Sequence, residues 1–344
     1  MSTGRAGIAA ALVAALLFGV GTPLAKLLLG PVSPWLLAGL LYLGSGTGLS
    51  ILRSVRRGER ARLASGEAKW LIAAILSGGV AAPVLLMWGL ARLPASTASL
   101  LLNAEAVFTA LLAWFAFREN FDRRIAFGMA LIVAGAITLS WPGESRLDAG
   151  LPAAAVLLAC FCWGLDNNLT RKVALADPTF IAMLKGLVAG VVNVAIALAM
   201  GASLPTASIA LAAGGLGFVS FGVSLSLFVL ALRHLGAART GAYYSIAPFA
   251  GALFAVPLLG EPVTPALVAG GALMAAGVWL HLTERHAHPH THEPLEHDHA
   301  HEHDAHHQHA HDGPVQEPHS HRHTHERMTH VHAHFPDAHH RHRH

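Results

Sequence analysis

Trp163-Gly164-Leu165-Asp166-Asn167-Asn168-Leu169-Thr170-Arg171 repeats, 145 residues later, the stretch that opens Phe18-Gly19 and ends at Lys26. Two further pairs repeat at an offset of 142 residues: Leu90-Ala91-Arg92-Leu93 with Leu232-Arg233-His234-Leu235, and the run ending Phe117-Arg118-Glu119 with the run ending Leu259-Gly260-Glu261. A long internal repeat in an apolar chain is the mark of a membrane carrier built from two related halves. The apolar runs around these elements give the same reading. No Asp, Glu, Lys or Arg occurs in Ala6–Ala25, Leu27–Leu52, Trp70–Ala91, Gly186–Leu232 or Pro262–Thr283. A helix needs about 20 such residues to cross a bilayer.

The 344 residues are 53% hydrophobic and 12% charged, against about 25% charged in soluble domains. So many uninterrupted runs would leave a soluble fold without a polar outer face. Ten spans are expected, at 7–29, 34–52, 70–91, 95–117, 123–141, 151–170, 179–200, 208–232, 237–258 and 263–283. Five spans per repeat is an odd number, so the second half enters the membrane from the opposite side. The expected fold is therefore all-α and integral to the membrane, ten transmembrane helices as two inverted five-helix repeats, 1–141 and 151–283. Substrate is expected near the midplane between the halves.

Lys and Arg collect in the even-numbered loops: Arg53, Arg56, Arg57, Arg60, Arg62 and Lys69, then Arg118, Arg123 and Arg124, then Arg171 and Lys172, then Arg233 and Arg239. Those loops are expected to be cytoplasmic, and both termini with them. Basic residues in short loops between spans are a topology signal, so the positive balance does not indicate a nucleic-acid partner. The expected partners are the lipid bilayer and a small-molecule substrate, with divalent metal ions and a second copy of the chain, as a homodimer, the further candidates. Cys160 and Cys162 sit mid-span on different helix faces, which excludes a disulfide between them and argues against a structural zinc site.

Residues 286–344 are a separate object, with His at 23 of 59 positions. This stretch carries −5 against +8 for the rest of the chain, and together they give the net +3. It lacks the apolar content to fold alone and is expected to be a disordered tail. The pattern His297-Asp298-His299-Ala300-His301-Glu302-His303 places several imidazoles within reach of one zinc, nickel, cobalt or copper ion. The rest of the chain requires no cofactor.

With the repeats aligned, the chain resembles the EamA family of the drug/metabolite transporter superfamily. Phe18-Gly19 to Lys26 and Trp163-Gly164 to Arg171-Lys172 stand where that family has a Trp-Gly-to-basic element. Gly241-Ala242-Tyr243-Tyr244-Ser245-Ile246-Ala247-Pro248, ending Gly260-Glu261, fits the fourth helix of an EamA repeat. The first copy departs from it, with Asn103-Ala104-Glu105-Ala106 in place of the Pro and Arg118-Glu119 in place of Gly-Glu. The resemblance covers residues 7–283. It implies a ten-helix secondary carrier of small metabolites, usually an exporter, in the cytoplasmic (inner) membrane, and a transporter in place of an enzyme. It leaves the substrate open.

Intramembrane polar residues mark the pathway, because a charge in hydrocarbon costs several kcal/mol unless it is paired or wetted. Glu105, mid-way along the fourth span, is the leading candidate for coupling or for binding a cationic group, with Asn103 beside it in sequence. Asp166, Asn167 and Asn168 form a second cluster. Asp166 is expected to pair with Lys185 across the next span. Asn193, Tyr243 and Tyr244 complete the set, the tyrosines lying just before Pro248, which frees a carbonyl four residues back. Lys26 reads as a snorkelling cation, and Trp35, Trp70 and Trp141 as interface anchors. The rival reading is a divalent-metal transporter or metal-responsive sensor that uses the histidine tail. The charge pattern makes one direct prediction: a cytoplasm-active reporter fused after residue 285 is active, and the same reporter fused at Glu144 is silent.

Overall fold

The computed structural model describes residues 3–55, 66–117, 123–140, 150–170, 178–228, 230–231, 243–282, 287–292, 295–301, 319–325 and 328–333. The chain forms two units, Met1–Glu284 and Arg285–His344. Among the described residues of the first unit, seven helical stretches are long and apolar enough to cross a bilayer, and three more apolar helices are shorter.

The helices run α1 (Thr3–Leu28), α2 (Pro34–Val55), α3 (Ala68–Ala74), α4 (Ala82–Leu90), α5 (Ala95–Leu101), α6 (Ala104–Phe117), α7 (Arg123–Ser140), α8 (Gly150–Thr170), α9 (Pro178–Ala199), α10 (Ala207–Gly217), α11 (Ala247–Leu259) and α12 (Pro265–Leu282). Two π-helical segments interrupt them. Ile75–Ala81 joins α3 to α4 in one continuous helical rod, and Phe218–Val223 continues α10. The fourth expected span is broken at Leu102-Asn103, between α5 and α6. The ninth is broken at Ser245-Ile246, and Pro248 falls in the first turn of α11, where its missing N–H costs nothing. No Pro marks the first break. There the Asn103 backbone N–H and its side-chain amide both donate to the Leu100 carbonyl, each at 3.0 Å. Residues 232–242, where the ninth span was expected to begin, lie outside the described residues, as does Trp141.

Helices pack chiefly in pairs: α2 on α9, α7 on α12, α1 on α11, α8 on α6 and α4. Lipid tails supply no hydrophobic driving force between helices, so close packing of small residues has to do it. The glycines are placed accordingly. Gly39 and Gly46 of α2 meet Val194 and Leu187 of α9, Gly186 and Gly190 of α9 meet Gly46 and Leu43 of α2, and Gly135 of α7 meets Gly270 of α12. Large apolar side chains such as Leu211, Phe115, Leu253 and Trp279 are exposed, as lipid-facing positions require.

In the second unit the described residues form two antiparallel pairs, β1 (Ala287–His292) with β4 (Met328–Ala333), and β2 (Leu295–His301) with β3 (His319–His325). This departs from the disordered tail expected above. The physical reason lies in the pattern: His-x-His alternation has the two-residue period of a strand. The register sets His297 opposite His323, His299 opposite His321 and His301 opposite His319. His303 lies outside the described residues.

Packing by glycine is testable. A Cβ at Gly44 would run into the Gly214 backbone, whereas one at Gly215 would meet nothing. Gly44→Leu is expected to destabilise the detergent-solubilised protein by about 1–3 kcal/mol. Gly215→Ala leaves its thermal unfolding midpoint unchanged or slightly raised.

Candidate functional site

The interior polar groups converge on three helices and one π-helical segment. A change from i→i−4 to i→i−5 bonding loosens the backbone ladder, and carbonyls there take side-chain donors. The Gly78 carbonyl accepts from the Tyr42 hydroxyl at 3.0 Å and from Trp163 Nε1 at 2.9 Å. The Gly79 carbonyl accepts from Asn193 Nδ2 at 3.2 Å, and the Ser77 hydroxyl donates to the Cys162 carbonyl at 2.8 Å. Donors from α2, α8 and α9 thus hold this one segment. Asn193 is fully buried, and its Oδ1 has no partner.

Helix α8 carries one charged residue, Asp166. Its residues Trp163, Asp166, Asn167 and Thr170 are spaced by three and four, which puts them along one side. Asp166 packs against Gly78, where any larger residue would collide with the carboxylate. Lys185 Nζ lies 2.6 Å from each Asp166 oxygen, and the Thr170 hydroxyl donates to Oδ1 at 2.9 Å. The ion pair expected between Asp166 and Lys185 is therefore formed, with side-chain exposures of 7% and 18%.

Glu105 occupies the first turn of α6, where the helix N-terminus favours a carboxylate. Asn167 Nδ2 donates to Glu105 Oε1 at 2.9 Å and reaches Thr109 Oγ1 at 3.2 Å. Among the described residues Glu105 makes no salt bridge, since Lys185 is held by Asp166. Asn167 is exposed, so this group opens to the outside of the bundle.

Three sequence candidates stand apart from that group. Asn103 is buried, with its amide turned to Leu100 and near Met274 Sδ at 3.9 Å. Asn168 is buried and donates to the carbonyls of Gly164 and Thr109, at 2.8 and 3.1 Å, tying α8 to α6. Tyr243 packs with Ala10, Ala11 and Ala231. Tyr244, by contrast, joins a row of aromatic rings. Phe228–Tyr244, Tyr244–Phe18, Phe18–Phe221 and Phe221–Tyr42 have centroids 4.8, 5.7, 5.6 and 5.8 Å apart.

Lys26 and Glu261, the latter given no role from the sequence, form a clasp at the opposite end. Lys26 does not simply snorkel: its Nζ donates to the Leu90 carbonyl and, at 2.7 Å, to the Leu93 carbonyl. The Glu261 carboxylate accepts from the Ala95 and Ser96 backbone N–H groups, the latter at 2.9 Å, and from the Ser96 hydroxyl. Gly260 makes this possible with φ of 65°, a left-handed turn that ends α11 and aims Glu261 back. Residues 91–94 are held from both sides. At this same end a cleft of about 960 Å³, lined by Trp35, Val84, Trp88, Leu158, Ala197 and Met200, carries no ionisable side chain. Trp35, expected as an interface anchor, has its Nε1 buried and unpartnered, while Trp70 is exposed beneath Lys69. Among the described residues no cluster of three metal-ligating side chains occurs.

The fold is a multi-pass helical bundle with the Asp166–Lys185 ion pair in its interior. The chain belongs to the EamA-like transporter family, whose model matches residues 5–141 and again 151–283. It is 30% identical over 293 residues, 80% of this chain and 85% of the other, to an uncharacterized transporter of Methanothermobacter thermautotrophicus. It is also 30% identical over 217 residues, 59% of this chain and 69% of the other, to a probable terminal-alkyne amino-acid exporter of Streptantibioticus cattleyicolor. A solved crystal structure with 18% sequence identity superposes with a TM-score of 0.61, covering 79% of this chain and 95% of that one, which shows the shared fold. The protein is a membrane transporter of small metabolites.

The ion pair gives a measurable coupling. Asp166→Asn and Lys185→Met each strand a buried charge or its partner and are expected to cost about 3–5 kcal/mol. The double variant recovers much of that loss, and thermal unfolding of the four proteins in detergent measures the difference.

Proposed function

We propose that the protein is a secondary exporter that works by alternating access between two inverted five-helix repeats, ten spans in all. The observation that carries this reading is the pairing of an interior polar group with a latched end. Glu105, Asn167 and the Asp166–Lys185 pair sit toward one end of the bundle, open through Asn167. The Lys26–Glu261 clasp closes the other. With the basic loops cytoplasmic, the clasped end is extracytoplasmic and the conformation is open to the cytoplasm.

The inverted repeat is supported by contacts that recur at the sequence offsets. Asp166 packs on Gly78, and Gly21 faces Ser220. Gly164 meets Thr109, and Gly19 meets Gly251. The two π-helical segments and the two helix breaks fall at corresponding positions. Carriers of this construction place substrate where broken helices meet near the midplane. Glu105, Asn167, Asp166 and Lys185 line that path, with Tyr244 on its aromatic side. Asn103, Asn168 and Asn193 hold the helices that form it. The Streptantibioticus relative carries the name of an amino-acid exporter, which favours export of a small metabolite. The membrane is the cytoplasmic one, both termini are cytoplasmic, and no cofactor enters the cycle. No P-loop motif occurs in the sequence, so an ion gradient or the substrate's own gradient supplies the drive.

The second reading, a metal transporter or sensor, rests on the His-rich composition of residues 286–344. One experiment separates the two. Metabolites and metals are measured in cells and medium for a strain lacking the protein, complemented with full length, with residues 1–285 or with Glu105→Gln. The exporter reading expects a small metabolite that accumulates inside on loss and is cleared by full length and by 1–285, but not by Glu105→Gln. Metal accumulation restored only by full length would replace it with the metal reading.

A further inference from the structure

We propose that the cleft at the clasped end is a lipid site, in which an anionic phospholipid seats an acyl chain and sets its phosphate on Arg92. The proposal goes beyond the carrier reading and does not depend on where substrate binds. Three observations carry it.

The first is how the cleft arises. Helices α8 and α9 are tied together at one end by Asp166 and Lys185, 2.6 Å apart. Toward the other end α8 packs on α4, and α9 packs on α2. Between them lies the cleft of about 960 Å³, with Leu158 contributed by α8 and Met200 from the end of α9. Leu151, Leu158 and Met200 are exposed as well as lining it. The cleft therefore opens on the side of the bundle, where a membrane helix meets lipid.

The second is its length and chemistry. Val80, Val84 and Trp88 line it at a spacing of four, one stripe of a helical rod. Eight residues of helix rise about 12 Å, close to the roughly 15 Å of hydrocarbon in one leaflet. Among the lining residues Ser33 has the one hydroxyl, and its Oγ already accepts from the Leu36 N–H at 3.3 Å. A polar solute would give up its hydration here for no hydrogen bond, whereas a methylene chain gives up nothing.

The third is the cation at the rim. Arg92 lays its guanidinium on the ring of Trp88, 4.1 Å from the centroid, and donates to the Trp88 carbonyl at 2.9 Å. A guanidinium has five N–H donors in a planar fork that matches phosphate. Arg92 is exposed and makes no salt bridge among the described residues. Lys26 and Glu261, at the same end, are spent on main-chain atoms. The ring that walls the cleft thus also holds an unneutralised cation beside it, and a Trp–Arg pair of this kind suits the headgroup level of a bilayer.

The test uses the full-length protein in detergent and three probes: dioleoyl phosphatidylglycerol, dioleoyl phosphatidylcholine and glycerol 3-phosphate. Native mass spectrometry reads the affinity for the first molecule bound, and size-exclusion profiles check that each variant folds. Phosphatidylglycerol is expected to bind at least about tenfold more tightly than phosphatidylcholine. Glycerol 3-phosphate, the head without the chains, leaves no bound species. Arg92→Gln removes most of the preference, whereas Arg53→Gln, at the far end of α2, preserves it. Ala155→Phe narrows the cleft and weakens both lipids. Equal binding of the two lipids to the wild type, or a preference that survives Arg92→Gln, overturns the assignment of the headgroup. Lipid binding untouched by Ala155→Phe overturns the seat in the cleft, and where that variant does not fold Arg92→Gln still decides. Retention of glycerol 3-phosphate as tightly as the lipid overturns the proposal in favour of a site for free phosphates.

Discussion

Hydrocarbon offers no hydrogen bonds, so every backbone group that leaves the regular helical ladder must find a donor or acceptor within the protein. This constraint organises the bundle. The π-helical segment Ile75–Ala81 draws Tyr42, Trp163 and Asn193 onto its carbonyls, and with them the helices α2, α8 and α9. The break at Leu102-Asn103 is held by the Asn103 amide. The orphan N–H groups that start α5 receive the Glu261 carboxylate, and the carbonyls that end α4 receive Lys26. The π-helical segment and the facing ends of α4 and α5 are thus also junctions between helices. Irregular backbone and interior polarity have one cause, and they occur in the same places.

Glycine provides the complementary half of the packing. Where α2 meets α9 and α7 meets α12, the absence of Cβ atoms brings backbones together along much of the contact. At Gly78 the same absence admits a side chain and not a backbone: the Asp166 carboxylate occupies the space a Cβ would fill. That seats the Asp166–Lys185 pair against the π-helical segment. It also turns the next residue, Asn167, toward Glu105. One missing methyl group therefore helps set which carboxylate is neutralised internally and which is not.

Much of this was legible in the sequence. Charge-free runs located the apolar helices, because a span must exclude charge over a fixed length. Asp166 and Lys185 announced a pair, since neither is tolerated alone at that depth. Glu105 stood out for the same reason. The clasp did not, because Lys26 and Glu261 bind main-chain atoms 64 to 67 and 165 to 166 residues away, and backbone partners leave no pattern in side chains. The π-helical segments were equally silent: Ser77-Gly78-Gly79 and Ser220-Phe221-Gly222 sit in apolar runs whose hydrophobicity says nothing about hydrogen-bond register. Asn103, Asn168 and Asn193 were visible as polar residues but not as structural ones. An amide that binds a ligand and one that binds a carbonyl look the same in a sequence. In the tail, composition argued against order while the two-residue histidine period matched a strand, and the structure followed the period.

The clasp recognises its loop almost entirely by main chain. Lys26 reads two carbonyl oxygens and Glu261 reads two amide N–H groups, with the Ser96 hydroxyl the one side-chain contact. Recognition of that kind is blind to which residues occupy positions 91–93 and acute to how many there are. Point changes there leave the hydrogen bonds of the clasp in place, even where the Arg92 contact to the Trp88 carbonyl is lost. Insertion or deletion of a single residue displaces Leu90 and Leu93 relative to Ala95 and Ser96, and unseats both halves at once. Along an evolving lineage this loop is therefore free to drift in sequence while its length stays fixed.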